Sequence, residues 1–231
     1  MSVGEWNINS TGVKGLYHLE DTSDSSSTGA TLTNTGSVVF NPAKFRNGAD
    51  LGSSNTTKIL TATNNLGIDG GSISICLWAS MLAQPSSATW VLAGQGSANN
   101  KVIYEVQYVD SAGTKSITFV RERAGIAGDS TSFNTTLSTG QMNLLTLTYD
   151  GTTVMGYLNG SFKSSTTSTG NGNDATTINS ICIGGRKERS ASASLFASSL
   201  IDEVAYFNRA LTPAEIKNYY AWALGRRTGT V

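Results

Sequence analysis

The acidic residues of this chain are the first candidates for chemistry, and Asp202 is the most unusual of them. It lies in an alternating apolar segment, residues 200–207, where Asp202, Val204 and Tyr206 are predicted to share one face of a β-strand. An acid on so apolar a face needs a partner, and a bound cation is a common one. Since successive side chains of a strand point to opposite faces, the adjacent Glu203 is predicted to lie on the other side of the sheet.

The other residue types used in catalysis are scarce. His18 is the only histidine and the chain contains no G-x-S-x-G sequence, so Ser-His-Asp chemistry is not predicted. One histidine without a C-x-x-C pair also argues against a structural zinc site. Cys76 and Cys182 each lie in a hydrophobic strand and are predicted to be buried free thiols. A disulfide between them is possible only if their strands are neighbours.

The elements that must position these residues are short β-strands. Residues 72–79 alternate so that both faces of the strand are predicted to be buried. Residues 144–163 are predicted to form a three-stranded meander with an Asp-Gly turn at 150–151 and an Asn-Gly turn at 159–160. Both pairs favour type I′ turns, which need positive φ at the two central residues.

The last strand is predicted to lead into a short helix. Thr212 can N-cap this helix, Pro213 takes its first position and Glu215 completes a capping box. The helix is predicted to run from about Pro213 to Leu224. Strands and helix together predict an all-β fold, a two-sheet antiparallel β-sandwich with a short C-terminal helix.

Length and charge limit the number of domains and the classes of partner. A length of 231 residues without a strong internal boundary predicts a single domain over 1–231, with a core at about 13–225 and short terminal arms. The formal net charge is zero, so the chain has no electrostatic reason to bind nucleic acid or an anionic membrane. With neither a bilayer-spanning segment nor a signal peptide in the sequence, we expect no membrane insertion and no export by the usual route.

Three segments, in order along the chain, carry a family resemblance. They are residues 15–20 with 24–29 (GLYHLE and DSSSTG), residues 145–151 with 157–160 (LTLTYDG and YLNG), and residues 200–216 (LIDEVAYFNRALTPAEI). They resemble laminin-G-like members of the concanavalin A-like lectin/glucanase superfamily, although Ser27 replaces a common glycine and Met142 stands near a usual tryptophan. The resemblance implies a jelly-roll sandwich, a fold shared by lectins, adhesion modules, viral surface proteins and glycoside hydrolases, so it does not by itself assign a function.

The resemblance also implies one structural calcium ion that ties the opening acidic loop to the closing strand. Mapped by motif, its ligands would be the side chains of Asp24 and Asp202 and a carbonyl oxygen of Gly29, because calcium takes several hard oxygen ligands. The alternative is that Asp202 accepts hydrogen bonds from the backbone or from Arg209 and that no metal binds.

Glycanases that resemble this fold carry paired acids, since retaining hydrolysis needs two carboxyl groups about 5–5.5 Å apart. Glu105 and Asp110 are predicted to lie on opposite faces of their strand, as are Asp202 and Glu203. We therefore expect no enzyme activity and keep glycoside hydrolysis as a distant alternative.

The resemblance to lectins directs attention to aromatic rings that could stack on sugars. Trp90, Tyr104 and Tyr108, together with Trp6, are the candidate ligand-binding residues. The alternative to sugar binding is that each of these rings is buried in the hydrophobic core or in an interface.

The resemblance extends to laminin-G-like proteins of bacteriophage virions, which need no secretion signal because cell lysis releases them. We therefore expect a non-enzymatic structural or adhesion subunit on an assembly surface, namely a capsid-decoration or tail-associated protein of a virion with weak glycan binding. Its partners would be other virion subunits and cell-surface glycans. The alternative is a free carbohydrate-binding module that acts outside the cell or on its surface after export by a non-classical route.

Overall fold

The computed structural model describes residues 10–26, 30–63, 66, 71–97, 102–123, 126–168, 178–187 and 193–225. These residues form fifteen strands and one helix. The strands are β1 (Val13–Tyr17), β2 (Thr33–Thr35), β3 (Val39–Pro42), β4 (Asn47–Asp50), β5 (Ile59–Ala62), β6 (Ile73–Met81), β7 (Thr89–Ser97), β8 (Val102–Ser111), β9 (Thr114–Arg123), β10 (Ile126–Asn134), β11 (Asn143–Tyr149), β12 (Thr153–Leu158), β13 (Ser161–Thr167), β14 (Ile178–Ile183) and β15 (Ser199–Phe207), and the helix is α1 (Pro213–Gly225).

The strands form two antiparallel sheets. Sheet A has the order β13-β12-β11-β6-β15-β4-β3, with β1 also paired to β15, and sheet B has the order β10-β9-β8-β7-β14-β5-β2. The predicted all-β, two-sheet antiparallel sandwich with a short C-terminal helix is confirmed. Among the described helical residues, no helix is long and apolar enough to cross a membrane.

Two apolar clusters lie on the two sides of sheet A. The first fills the space between the sheets, and the second lies between sheet A and α1. Alternate residues of β6 supply both clusters, which explains why all nine of its residues are buried, as the sequence predicted. Cys76 in β6 and Cys182 in β14 are both buried and free, as predicted.

The predicted meander from β11 to β13 is present, but its two turns differ. Asn159 and Gly160 both have positive φ, at 52° and 76°, as a type I′ turn requires. In the other turn Gly151 has a φ of 103° while Asp150 lies outside the left-handed region. The Asp150 carboxylate instead accepts hydrogen bonds from the backbone N–H groups of Thr152 and Thr153, both at 2.8 Å. The type I′ prediction is therefore wrong at residues 150–151, because a side-chain acceptor closes that turn.

Strand β15 contains a bulge that the sequence did not predict. Asp202 pairs with Trp78 of β6 while Ala205 pairs with Cys76, so β15 has one extra residue, and Glu203 has a φ of 51°. Beyond the bulge Val204 lies in the cluster between the sheets and Ala205 lies in the cluster under α1. The predicted common face of Asp202, Val204 and Tyr206 is therefore wrong, because one inserted residue exchanges the two faces of a strand.

The predicted capping box of α1 is confirmed. The Thr212 backbone N–H donates to Glu215 Oε2 at 2.8 Å, and the Glu215 backbone N–H donates to Thr212 Oγ1 at 3.2 Å. Arg209 adds a bidentate pair to the same carboxylate, from Nη2 to Oε1 at 2.7 Å and from Nη1 to Oε2 at 2.9 Å. Hydrogen bonding from Arg209 is the main reason why the pKa of Glu215 falls to about 2.

We predict that Glu215→Gln lowers the free energy of unfolding by about 1 kcal/mol at pH 7. Because the folded-state pKa lies below the ordinary value of 4.5, this stabilisation is complete above about pH 4.5 and is lost as the pH falls towards about 2. Urea denaturation of both proteins across this pH range measures the difference. Lys217→Gln, an exposed change on the same helix, is the control. A difference that does not depend on pH would contradict the assignment.

Candidate functional site

The predicted sugar-stacking rings occupy different environments. Tyr104 and Tyr108 are fully buried between the sheets, so the prediction that they bind a ligand is wrong. Both rings lie on the inner face of β8, and a period of two cannot tell which face of a strand is the inner one. Trp6 lies outside the described residues. Trp90 packs against the core but is only half-buried, and it also lines a surface groove.

The groove lies where three loops meet at the start of β7, and its volume is about 480 Å³. Its walls combine two aromatic rings with a small set of hydroxyl and amide groups. The lining residues are Asn55, Thr56, Ser87, Ala88, Thr89, Trp90, Leu195 and Phe196. Phe196 and the hydroxyl residues were not predicted as site residues, since they come from segments far apart in the sequence.

The side chain of Asn55 fixes two walls of the groove relative to each other. Its Nδ2 donates to the carbonyl oxygens of Lys58 and Ala197, both at 2.9 Å, and its Oδ1 accepts from the backbone N–H of Lys58 at 2.7 Å. The Asn55 backbone N–H also donates to Ser198 Oγ at 3.0 Å. Because these bonds use its amide, Asn55 positions the groove and leaves ligand contacts to its neighbours.

The third wall is held by main-chain hydrogen bonding and includes strained backbone. The Val91 N–H donates to the Leu195 carbonyl oxygen at 3.0 Å, which ties the segment carrying Phe196 to β7. Leu195 and Ser87 both line the groove in the left-handed region, with φ of 50° and 48°. Non-glycine residues in this region are uncommon and concentrate at functional sites, so the groove is a candidate binding site.

The acid pair of β15 lies far from solvent. The bulge places Asp202 and Glu203 on the same side of sheet A, among the side chains beneath α1, so the prediction that they point to opposite faces is wrong. Asp202 Oδ2 accepts from the Phe45 backbone N–H at 2.9 Å, and Glu203 Oε1 lies 2.8 Å from His18 Nδ1. Both acids are at most 1% exposed, so a substrate in solution cannot reach them.

Asp202 is electrostatically unfavourable in this position. Its Oδ1 is buried and has no hydrogen-bond partner among the described residues. Burial, reinforced by the neighbouring Glu203 charge, raises the pKa of Asp202 well above that of an ordinary aspartate. Burial lowers the pKa of nearby Lys44, whose ammonium lies 4.8 Å from the centre of the Trp78 ring, and the Asp202 charge opposes that shift.

The other two acids considered for hydrolysis are each neutralised by a cation. Glu105 binds Arg186 through two hydrogen bonds, of 2.7 Å from Nε and 2.6 Å from Nη2. Asp110 pairs with Lys115 at 3.1 Å in the turn between β8 and β9. Neither acid faces another acid across the groove, whose lining contains no carboxylate among the described residues.

The predicted calcium ligands differ in whether their oxygen atoms already accept hydrogen bonds. Asp24 already accepts four hydrogen bonds, from Leu16 N, Ser26 N, Ser26 Oγ and Ala30 N. Gly29 lies outside the described residues. The residues that the structure describes contain no group of three or more His, Cys, Asp or Glu placed to hold a metal ion. Calcium therefore stays a prediction, supported by the single unpartnered oxygen of Asp202.

Comparisons with known proteins place this geometry in a family. The sequence model described as the Concanavalin A-like lectin/glucanases superfamily matches residues 52–217. A search of curated proteins found no match to this chain.

Solved structures share the fold at low sequence identity. The botulinum neurotoxin serotype C1 binding domain is 15% identical with a TM-score of 0.72, and the match covers 92% of this chain and 52% of that one. The binding domain of botulinum neurotoxin DC in complex with SialylT is 15% identical with a TM-score of 0.68, covering 92% and 52%. Domain 4 of AbnA, an extracellular arabinanase from Geobacillus stearothermophilus solved with arabinotriose, is 19% identical with a TM-score of 0.64, covering 90% and 98%. The chain thus spans about half the length of the toxin binding domains that it matches.

We predict that Asp202→Asn raises the melting temperature at neutral pH in the presence of EDTA. Because burial raises the folded-state pKa of Asp202, this carboxyl group destabilises the fold at pH values above its unfolded pKa. Asparagine cannot ionise and keeps an oxygen for the Phe45 N–H, so a gain of about 1 kcal/mol, roughly 2–4 °C, is expected. Asp21→Asn, at an exposed acid, is the control and should change the stability by less than about 0.5 kcal/mol. A lower melting temperature for Asp202→Asn would contradict the prediction.

Repeating the same melts with excess calcium tests the metal prediction. If Asp202 is a ligand, calcium should raise the melting temperature of the wild type and leave that of Asp202→Asn unchanged. An equal response of the two proteins would exclude Asp202 as a ligand.

Proposed function

The chain belongs to the concanavalin A-like lectin/glucanase superfamily, and on this basis we propose that it is a non-enzymatic binding module that holds a carbohydrate in the Trp90–Phe196 groove. The groove itself carries the proposal, because it joins aromatic rings and hydroxyl groups on a surface positioned by hydrogen bonds. Aromatic faces stack on the apolar faces of sugars, and hydroxyl groups exchange hydrogen bonds with sugar hydroxyls.

The rigidity of the groove supports a binding role. Two of its walls are joined through Asn55, and the third wall, at the start of β7, is bonded to the segment that carries Phe196. Little ordering is therefore needed when a ligand binds. Strained backbone at Leu195 and Ser87 is retained on the same surface. Stabilising interactions elsewhere must offset the cost of that strain, which is a feature of functional surfaces.

The placement of the acids favours binding over hydrolysis. Retaining and inverting glycosidases both need two carboxyl groups beside the bond that is cleaved. Asp202 and Glu203 are sealed beneath α1, and Glu105 and Asp110 are each paired with a cation. The proposed function therefore involves no bond cleavage, and a calcium ion at Asp202 would serve as a structural support only.

The matched structures are consistent with a carbohydrate ligand. The arabinanase domain was solved with arabinotriose, and one of the toxin binding domains was solved with SialylT. Their ligands are properties of those proteins, and for this chain they provide a starting set of probes.

We predict that Trp90→Ala weakens glycan binding at least about tenfold, because it removes the larger stacking ring. Thr56→Trp should do the same by filling the groove from an exposed position, without changing the core. Phe162→Ala removes an exposed ring outside the groove and is the control. A glycan array that includes arabino-oligosaccharides, followed by calorimetry, measures the effect. Binding that survives both groove variants would place the site elsewhere, and binding of no glycan would reject the proposed function.

We also propose, as a second candidate, that the module is displayed on an assembly such as a phage virion. The observation that favours it is a pair of exposed apolar side chains that do not line the groove. Phe162 in β13 and Leu224 in α1 are 55% and 57% exposed, on two elements that contact each other. Where such side chains form one contiguous patch, that patch marks a surface that contacts other proteins.

Purified particles from the native source test this second candidate. We expect peptides of this chain in stoichiometric amounts by mass spectrometry, and we expect Phe162→Asp to reduce incorporation of the protein. Particles that lack the chain would reject the virion role and leave the binding proposal intact.

A further inference from the structure

We propose that the ligand of the groove is an acidic glycan, and that Lys58 binds its carboxylate or sulfate group in a small hollow next to the groove. This inference rests on the proposed function, because it assumes that a sugar occupies the groove.

The hollow adjoins the groove. Its volume is about 160 Å³, and it shares Asn55 and Thr56 with the groove wall. One water occupies roughly 30 Å³ in the liquid, so the hollow has room for a carboxylate or a sulfate. Its lining residues are Leu51, Gly52, Ser54, Asn55, Thr56, Thr57 and Lys58. A sugar stacked on Trp90 could therefore place a substituent in the hollow.

The lining of the hollow carries a positive charge and no negative charge among the described residues. Lys58 is the only charged residue that lines the hollow or the groove within the described part of the chain. Asp50, the acid nearest to it in sequence, accepts from the Gly52 N–H at 2.8 Å and from Asn41 Nδ2 at 2.8 Å. No described acid forms an ion pair with Lys58, whereas other described cations do: Lys115, Arg121, Arg186 and Arg209.

The position of Lys58 is set by its backbone. Its N–H and its carbonyl oxygen both bond to the Asn55 side chain, at 2.7 and 2.9 Å, and the buried strand β5 begins at the next residue. The side chain is half-buried, and its ammonium lies over Gly52, 3.7 Å from the point where a Cβ would stand. Since Gly52 has no side chain, the ammonium borders open space in the hollow.

The surrounding groups suit a charged sugar substituent. Ser54, Thr56 and Thr57 have exposed side chains whose hydroxyl groups can donate hydrogen bonds to an anion. A hydrogen bond from an ammonium to a carboxylate or sulfate is stronger than one between neutral groups. Lys58 would therefore select acidic glycans over neutral glycans of the same backbone.

The test compares matched probes on one array and then by calorimetry. Each neutral oligosaccharide is paired with its uronate form and with its sulfated form, so that the two sources of negative charge are distinguished. We expect one acidic form to bind about tenfold more tightly than its neutral counterpart, and this ratio should decrease as the salt concentration rises.

Variants at Lys58 decide whether this residue causes the preference. Lys58→Gln should bring the ratio of acidic to neutral affinity close to one, while Lys58→Arg should keep it because the charge remains. Lys217→Gln, an exposed lysine on α1, is the control and should keep the wild-type ratio.

Three outcomes would overturn the inference. If neutral and acidic glycans bind equally and Trp90→Ala abolishes both, Lys58 is a solvated surface lysine and the proposed function still holds. If the acidic preference persists in Lys58→Gln, another residue causes it. If no glycan binds, the proposed function fails and the inference fails with it.

Discussion

Strand β15 lies beside β1, β4 and β6 in sheet A, and the bulge at Glu203 determines which of its residues face each side of that sheet. With the extra residue, Ile201, Val204 and Tyr206 all reach the core between the sheets, while Ala205 and Phe207 reach the helix. Without it, a strict alternation would put Val204 and Tyr206 under α1 and would place Ala205 and Phe207 between the sheets. The packing of both apolar clusters therefore depends on one backbone irregularity.

The same bulge explains why the most suggestive acids of the chain are buried. It brings two carboxyl groups to one side of a sheet, but that side is covered by Trp78, Tyr219 and the rest of the cluster beneath α1. Burying neighbouring like charges costs stability, which is reflected in the raised pKa of Asp202. His18 partly compensates through its contact with Glu203. These acids thus belong to the internal structure of the protein.

The candidate binding surface depends on hydrogen-bonded loops, whereas the acid pair of β15 depends on strand packing. Its residues come from loops at the edge of the sandwich, and the loops are fixed by the amide of Asn55 and by a main-chain hydrogen bond to Leu195. Glu105 lies on the outer face of sheet B, and both oxygens of its carboxylate accept hydrogen bonds from Arg186. Loops held rigidly by a sandwich can vary in sequence without disturbing the core, which is why binding residues so often lie on them.

The sequence by itself determined the features that depend on local patterns. The alternation in β6, the capping box of Thr212 and Glu215, the turn at 159–160 and the family motifs all predicted elements that the structure contains. These features could be predicted because their causes lie within a few residues of each other.

Only the tertiary structure decided the rest. Burial of Tyr104 and Tyr108 depends on which face of β8 meets the other sheet, and the bulge at Glu203 depends on its pairing with β6. The groove joins residues from positions 55 to 196, so its chemistry arises only when distant segments meet.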